Sequence, residues 1–212
     1  MKFITSILLV CVLFFLSVNS SPCPKVEGAH KRDQQKCWMD YLIQETLRLR
    51  VGQIPFLSFY VNDEIDEIAC YGGLSTGPNS DKLSLSKLGN GFHTEEAATL
   101  NCTFMYPSPT GNQRTNPGWK MINHTLYTTA VPCAMGCAHA MFERIGGLVY
   151  GTNETTLLKL GLSQFVVTCP TLLDTFVGPN GTKPVPLPPN VLIIRQEETD
   201  EMFQQWRAAN PL

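Results

Sequence analysis

The stretch from His124 to Gly151, HTLYTTAVPCAMGCAHAMFERIGGLVYG, constrains the fold more than any other part of the chain. Its start is β-branched and aromatic, its middle is rich in alanine and methionine, and its end is again β-forming. Pro132 closes the first segment, because proline donates nothing to a strand ladder yet fits the first turn of a helix. The pattern predicts a strand over HTLYTTAV, a helix from Cys133 to about Arg144 and a short strand over GGLVYG. Strands joined through a helix of that length lie parallel in one sheet, with a right-handed crossover. The chain is therefore expected to be α/β.

The flanking sequence extends this reading. From Cys37, the residues Trp38, Tyr41, Leu42, Thr46, Leu47 and Leu49 recur at roughly helical spacing, up to Val51-Gly52. IPFLSFYV reads as a buried strand and EIDEIACYGG as its partner, with Asn62-Asp63 turning between them. HTEEAATLNCTFMY is expected to be a helix. Loops are expected over Gly72–Asn90, SPTGNQRTNPGW and Gly178–Asn190. NETTLLKLGL reads as a short helix capped by Asn153, QFVVTC as a strand, VLIIR as a late strand and Thr199–Ala209 as a closing helix. There is no internal repeat. This order predicts a sheet covered by helices on both faces.

The first residues bear on the compartment. Lys2 precedes an apolar run from Ile7 to Leu16, and Val18 and Ser20 are small enough for cleavage after Ser20. Residues 1–20 thus read as a secretory signal peptide, too short for a membrane anchor, so the mature chain is expected outside the cell or in the secretory lumen, with no membrane contact. Residues 21–36 form a polar lead-in, and 37–212 have a length suited to one domain. Four sequons, at Asn101, Asn123, Asn153 and Asn180, agree with secretion. The formal net charge is −2 and no long basic run occurs, so bulk charge does not favour a nucleic-acid partner. Cys11 departs with the signal and leaves an odd set: Cys23, Cys37, Cys70, Cys102, Cys133, Cys137 and Cys169. That parity does not choose between disulfides and a metal.

Two segments carry residues suited to chemistry. Pro132-Cys133-x-x-x-Cys137 and His93-Thr94-Glu95 both fall at expected helix starts, where the partial positive charge of the helix favours thiolates. Residues four apart share a helix face, so both sulfurs can reach one ion. One imidazole and two thiolates would give zinc three ligands and an open fourth position of catalytic type. His93 and Glu95 would diverge by about 200° in mid-helix, at ~100° per residue, so they converge only if His93 lies at or before the first turn. Spacing alone does not choose between Glu95 and Glu96.

His-x-Glu followed by Pro-Cys and a second cysteine resembles the signature of the zinc-dependent cytidine deaminase superfamily. HTE, LYTTAVPCAMGCAHAM and LVYGTNETTLLKLG look like its CMP/dCMP, guanine and tRNA-adenosine deaminase branch, and VYGTNETTL looks most like guanine-deaminase-type and secreted relatives. The resemblance covers roughly Cys37 to Leu212 and is specific from Phe92 to about Gly161. It implies a three-layer α/β/α sandwich with a central mixed, largely parallel five-stranded sheet. It implies Zn²⁺ held by His93, Cys133 and Cys137, with Glu95 as the proton shuttle. The backbone at Thr94 would contact the base. The implied activity is hydrolytic deamination of a free base, nucleoside or nucleotide with release of ammonia, and a homodimer is a further implication. Three positions depart from the pattern. The cysteine spacing is one residue longer than usual, with Gly136 read as an insertion. Val131 stands where many relatives have glutamate, and CYGGLS lacks an expected asparagine.

Competing readings remain open at the level of sequence. Cys133 and Cys137 could bond to each other or elsewhere, as thiols in secreted proteins commonly do. Glu95 could be a solvated helix carboxylate. His139 and His124 read as structural. Phe203 and Trp206 could close over a base or belong to the core. Cys23 with Cys37, and Cys70 or Cys102 with Cys169, are the expected staples. The rival function is a non-catalytic secreted binding protein that retains the fold.

Overall fold

A computed structural model of the chain describes residues 21–25, 27–28, 30–73, 93–105, 121–162, 167, 169, 171–172 and 191–211. The expected signal peptide, the Asn180 sequon and most of the three expected loops lie outside the described residues. In chain order the elements are α1 (Lys31–Leu49), β1 (Leu57–Asn62), β2 (Glu67–Gly73), α2 (Thr94–Met105), β3 (His124–Ala130), α3 (Ala134–Phe142), β4 (Gly147–Thr152), α4 (Glu154–Lys159), β5 (Val191–Ile193) and α5 (Gln196–Ala209). Among the described residues no helix is long and apolar enough to cross a membrane.

The five strands form one sheet in the order β2-β1-β3-β4-β5. β1 pairs antiparallel with both β2 and β3, whereas β3, β4 and β5 run parallel through the helical crossovers expected from the pattern. Strand alternation sorts side chains into two layers. On one face Tyr60, Leu126, Leu148 and Tyr150 are buried with Ala98 of α2, Ala140 of α3, Leu157 of α4 and Phe203 of α5. On the other face Phe59, Val61, Tyr127 and Val149 are buried with Trp38, Met39 and Leu42 of α1. Phe59 lies opposite Tyr127 across β1–β3 and their rings sit 5.6 Å apart, while the Trp38 ring is 5.9 Å from Phe59. Each such aromatic side chain contributes on the order of 1.5–3 kcal/mol by leaving water. The result is the three-layer sandwich expected from the sequence.

Several boundaries differ from the sequence reading, each for a physical reason. α1 starts at Lys31, inside the expected lead-in, because KRDQQK has good helix formers but no apolar residue to register as a periodic face. The lead-in is fastened to the domain rather than preceding it. Cys23 is buried and bonded to Cys37, as expected, and Gln34 Nε2 donates to the Cys23 carbonyl at 2.6 Å. Cys70 pairs with Cys102, tying β2 to α2, and Cys169 pairs with Cys137; the expected link from Cys70 or Cys102 to Cys169 is not made. Of the strand expected over QFVVTC, Cys169 is helical, and the other residues, apart from Val167, lie outside the described ones. Asn153 caps α4 as expected, accepting from the Thr156 amide at 3.0 Å. Gly72 has no room for a side chain, since a Cβ there would overlap the Thr94 carbonyl and the Ala98 amide nitrogen. That close approach seats α2 directly on β2 and aims its first turn at the end of β3.

Candidate functional site

β3 ends at Ala130, and Val131-Pro132 carry the chain into α3 with Cys133 in extended conformation as its N-cap. No side-chain hydrogen bond from Cys133 closes the helix, so the thiol is available to a neighbour. The neighbour comes from α2. His93 stands just before the first helical residue, and its carbonyl accepts from the Ala97 amide at 3.0 Å. That position outside the helix resolves the angular difficulty of His93 and Glu95. His93 Nδ1 lies 3.0 Å from Cys133 Sγ.

The two neighbouring acids have separate roles. Glu96 Oε2 accepts from the His93 backbone amide at 3.0 Å, one half of a capping box. Glu95 turns toward the sheet, where its Oε1 accepts from Thr128 Oγ1 at 3.0 Å. Both are buried, and burial pushes the Glu95 carboxyl above the ordinary carboxylate range. The geometry thus separates a carboxyl turned to the sheet at Thr128 from one that fastens the start of the helix at the His93 amide. Thr94 faces inward, its hydroxyl 2.6 Å from Ser58 Oγ, and its carbonyl is directed at Gly72. The hydroxyl of the residue expected to meet a substrate is therefore turned toward the sheet.

Cys137 does not join His93 and Cys133. Its backbone amide donates to the Cys133 carbonyl at 2.9 Å, so α3 is regular from its first turn. In this helical phase Gly136 is the residue that faces Glu95, with an added Cβ 3.1 Å from Glu95 Oε2. Cys137 is rotated about 100° further, is fully buried and is bonded to Cys169. A disulfide sulfur carries no thiolate for zinc. The donor set facing the site is then one imidazole and one thiol, and among the described residues no three His, Cys, Asp or Glu side chains could hold an ion. With this disulfide formed, the residues present do not fit the three-ligand zinc centre that the resemblance implies.

The pair that remains has its own electrostatics. The hydrogen bond to Cys133, opposed by desolvation and supported by the charges of Cys133, Glu95 and Glu96, pushes His93 up to about 9. His93 is exposed and Cys133 half-buried, so solutes can reach both. This arrangement places an imidazole whose proton is held tightly next to the Cys133 sulfur. His139 lies on α3 with Nε2 3.8 Å from Glu96 Oε1, and His124 is at the far end of β3. Phe203 is wholly buried, its ring 5.0 Å from Phe56, which makes it core. Sequence reasoning missed the bond of Cys137 to Cys169, the support of Glu95 by Thr128 and the cap by Glu96. The only local signal for these was the S/T/D/N-x-x-E-like spacing of His93 and Glu96.

No protein-family model and no curated protein matches the sequence. Solved structures do match its shape. NE0047 in complex with 2,6-diaminopurine is 13% identical with a TM-score of 0.59, over 84% of this chain and 83% of that one. A guanine deaminase from Nitrosomonas europaea is 12% identical with a TM-score of 0.54, over 82% and 84% of the two chains. RibD from Acinetobacter baumannii is 14% identical with a TM-score of 0.50, over 85% of this chain and 41% of that one. The chain thus carries the cytidine deaminase-like α/β fold.

Proposed function

We propose that this chain is a secreted protein that keeps the deaminase fold and, in its oxidised form, works by binding a small nucleobase-like molecule rather than by hydrolysing it. The observation that carries the reading is the phase of α3, which turns Gly136 toward Glu95 while Cys137 is bonded to Cys169. Secretion is supported by the leader-like residues 1–20 and by three disulfides among the described residues, since such bonds persist in oxidising compartments. A base-like ligand is supported by the 2,6-diaminopurine and 8-azaguanine bound to fold neighbours. A net charge of −2 speaks against a polyanion. Sugar chains on the sequons other than Asn101, and a homodimer, belong to the same proposal.

A second reading, a zinc-dependent hydrolytic deaminase with Glu95 as proton carrier, is favoured by one specific geometry. His93 and Cys133 are 3.0 Å apart and a buried Glu95 carboxyl stands beside them. It requires the Cys137–Cys169 bond to open and Cys137 to turn. Zinc content, together with ammonia release from guanine, adenine, cytosine and their nucleosides, separates the two. Measurements are made with the disulfide intact and after reduction. The binding reading expects well under one zinc per chain and no ammonia in the oxidised protein, with a saturable response to at least one base. Stoichiometric zinc and turnover with the disulfide intact would overturn it.

A further inference from the structure

We propose that the sugar joined to Asn123 covers an apolar rim at the end of the sheet remote from Cys133, an inference that rests on the secreted reading above. β3 begins at His124, and the two residues before it, Ile122 and Asn123, are exposed, Ile122 to 60%. The β1–β2 turn stands against them. The Asp63 amide donates to the Asn123 carbonyl at 2.8 Å, and Asn123 Nδ2 donates to Glu64 Oε1. Ile65, the next residue of that turn, is 61% exposed. The end of α3 adjoins the same segment. There the Met121 amide donates to the Glu143 carbonyl at 2.9 Å, and a Cβ on Gly146 would overlap the Ile122 carbonyl. Phe142, just before Glu143, is 73% exposed.

Apolar side chains scattered singly over a surface need no explanation. These three come from segments that hydrogen-bond to one another around one residue, and that residue is the asparagine of Asn123-His124-Thr125. The position of the anchor selects a sugar as the occupant over a second protein chain. One amide linkage holds the sugar beside Ile122, so covering it costs little further ordering. Sugar rings lay their C–H faces on apolar side chains while their hydroxyls stay in water. A rim made of turns offers a protein partner little of the roughly 800 Å² per side that a stable pair buries.

The chemistry of attachment fits the fold. Nδ2 bonds to C1 of a sugar activated as a lipid diphosphate; the C1–O bond breaks, the lipid diphosphate leaves and Nδ2 gives up one proton. Its second proton remains, so the bond to Glu64 survives. The timing follows from Thr125, whose hydroxyl completes the acceptor triplet. In the folded chain Thr125 is buried, its Oγ1 donates to Asp63 Oδ2 at 2.8 Å and its backbone lies between Val61 and Gly147. The sugar is therefore added before β3 joins the sheet, and it is in place when the rim forms.

The test uses the full-length chain secreted from a eukaryotic cell that glycosylates. Peptide mapping should find Asn123 occupied. Trimming with an endoglycosidase to the first sugar residue should leave Tm unchanged. Asn123→Gln should lower Tm by about 2–4 °C, the shift expected at this size when about half of an isoleucine side chain loses its cover. It should also raise the binding of a hydrophobic dye. In the double variant Ile65→Ser/Ile122→Ser, Asn123→Gln should change neither. Should Asn123→Gln fail to fold, the parent and the double variant made in a bacterial periplasm, which adds no sugar here, supply the same comparison. A bare Asn123 with sugar on Asn153 overturns the inference and leaves secretion standing, whereas sugar on none of the sequons removes both. No loss of Tm without the sugar, or an equal loss in the double variant, overturns the inference as well, since the rim then plays no part.

Discussion

Replacing Gly136 with cysteine should give α3 the thiol that faces Glu95 and with it a zinc site. The position is open to a small side chain. An added Cβ would lie 3.1 Å from Glu95 Oε2, 3.2 Å from Glu95 Cβ and 3.3 Å from Glu95 Cδ, so the carboxylate must yield by a few tenths of an ångström. Removing a glycine from the first turn of α3 returns up to a few tenths of a kcal/mol of helix propensity, which offsets part of that shift. The Cys137–Cys169 bond stays in place, and the new thiol joins His93 and Cys133, which are already 3.0 Å apart. With free zinc about a thousandfold above its dissociation constant, binding stabilises the fold by about 4 kcal/mol. For a domain of this size that raises Tm by about 10 °C. The assay is zinc per chain by elemental analysis, thermal melting with and without zinc, and sulfur-to-metal absorption after cobalt substitution. Gly136→Cys should hold close to one zinc and the parent chain should not. The reasoning is refuted if the parent loads one zinc with its disulfide intact. It is equally refuted if the variant folds with free thiols at both positions and stays empty.

Four further outcomes follow from the same geometry. Cys169→Ser opens a loop with a sequence separation of 32 and should cost about 3–4 kcal/mol by denaturant melting; the freed Cys137 still faces the core, so a gain of one zinc per chain would show that α3 can rotate. Burial raises the Glu95 carboxyl, so folding stability falls as pH rises from the unfolded carboxylate value through the folded one, and Glu95→Gln should flatten that slope in melts across the window. His93 should titrate near 9 by NMR, and Cys133→Ser should lower that value; its contribution to stability is complete below the ordinary imidazole range and is lost as pH rises through about 9. Asn101 should lack sugar in peptide mapping, because its Nδ2 donates to the Tyr71 carbonyl at 3.0 Å and Cys102 within its sequon is bonded to Cys70.

Much of the frame was legible because it is written in local periodicity. HTLYTTAV, the helix after Pro132 and GGLVYG became β3, α3 and β4 with the parallel pairing that a helical crossover demands. The hairpin of β1 and β2 formed as expected, although its turn covers Asp63 to Asp66 rather than Asn62-Asp63 and β2 starts three residues later than expected, and Asn153 capped α4. The start of α1 was hidden because a polar helical turn leaves no hydrophobic rhythm. Of the site, the pairing of His93 with Cys133 could be read from the two helix starts, since each placement is a property of a few adjacent residues. Glu95 and Glu96 could not be told apart by spacing. What separates them is Thr128, on a strand that joins them only after folding.

By itself, the sequence determined the order of most strands and helices, the positions where α2, α3 and α4 begin and the presence of an imidazole, two carboxyls and a pair of cysteines at the first two of those beginnings. Only the tertiary structure decided which way each of them faces. Cys133 and Cys137 are one helical turn apart on paper. The N-cap geometry of Cys133, the regular first turn after it and the arrival of Cys169 from a distant segment send their sulfurs to different neighbours. Helical phase and the partner of a disulfide depend on contacts across the whole fold, and no count of intervening residues contains them.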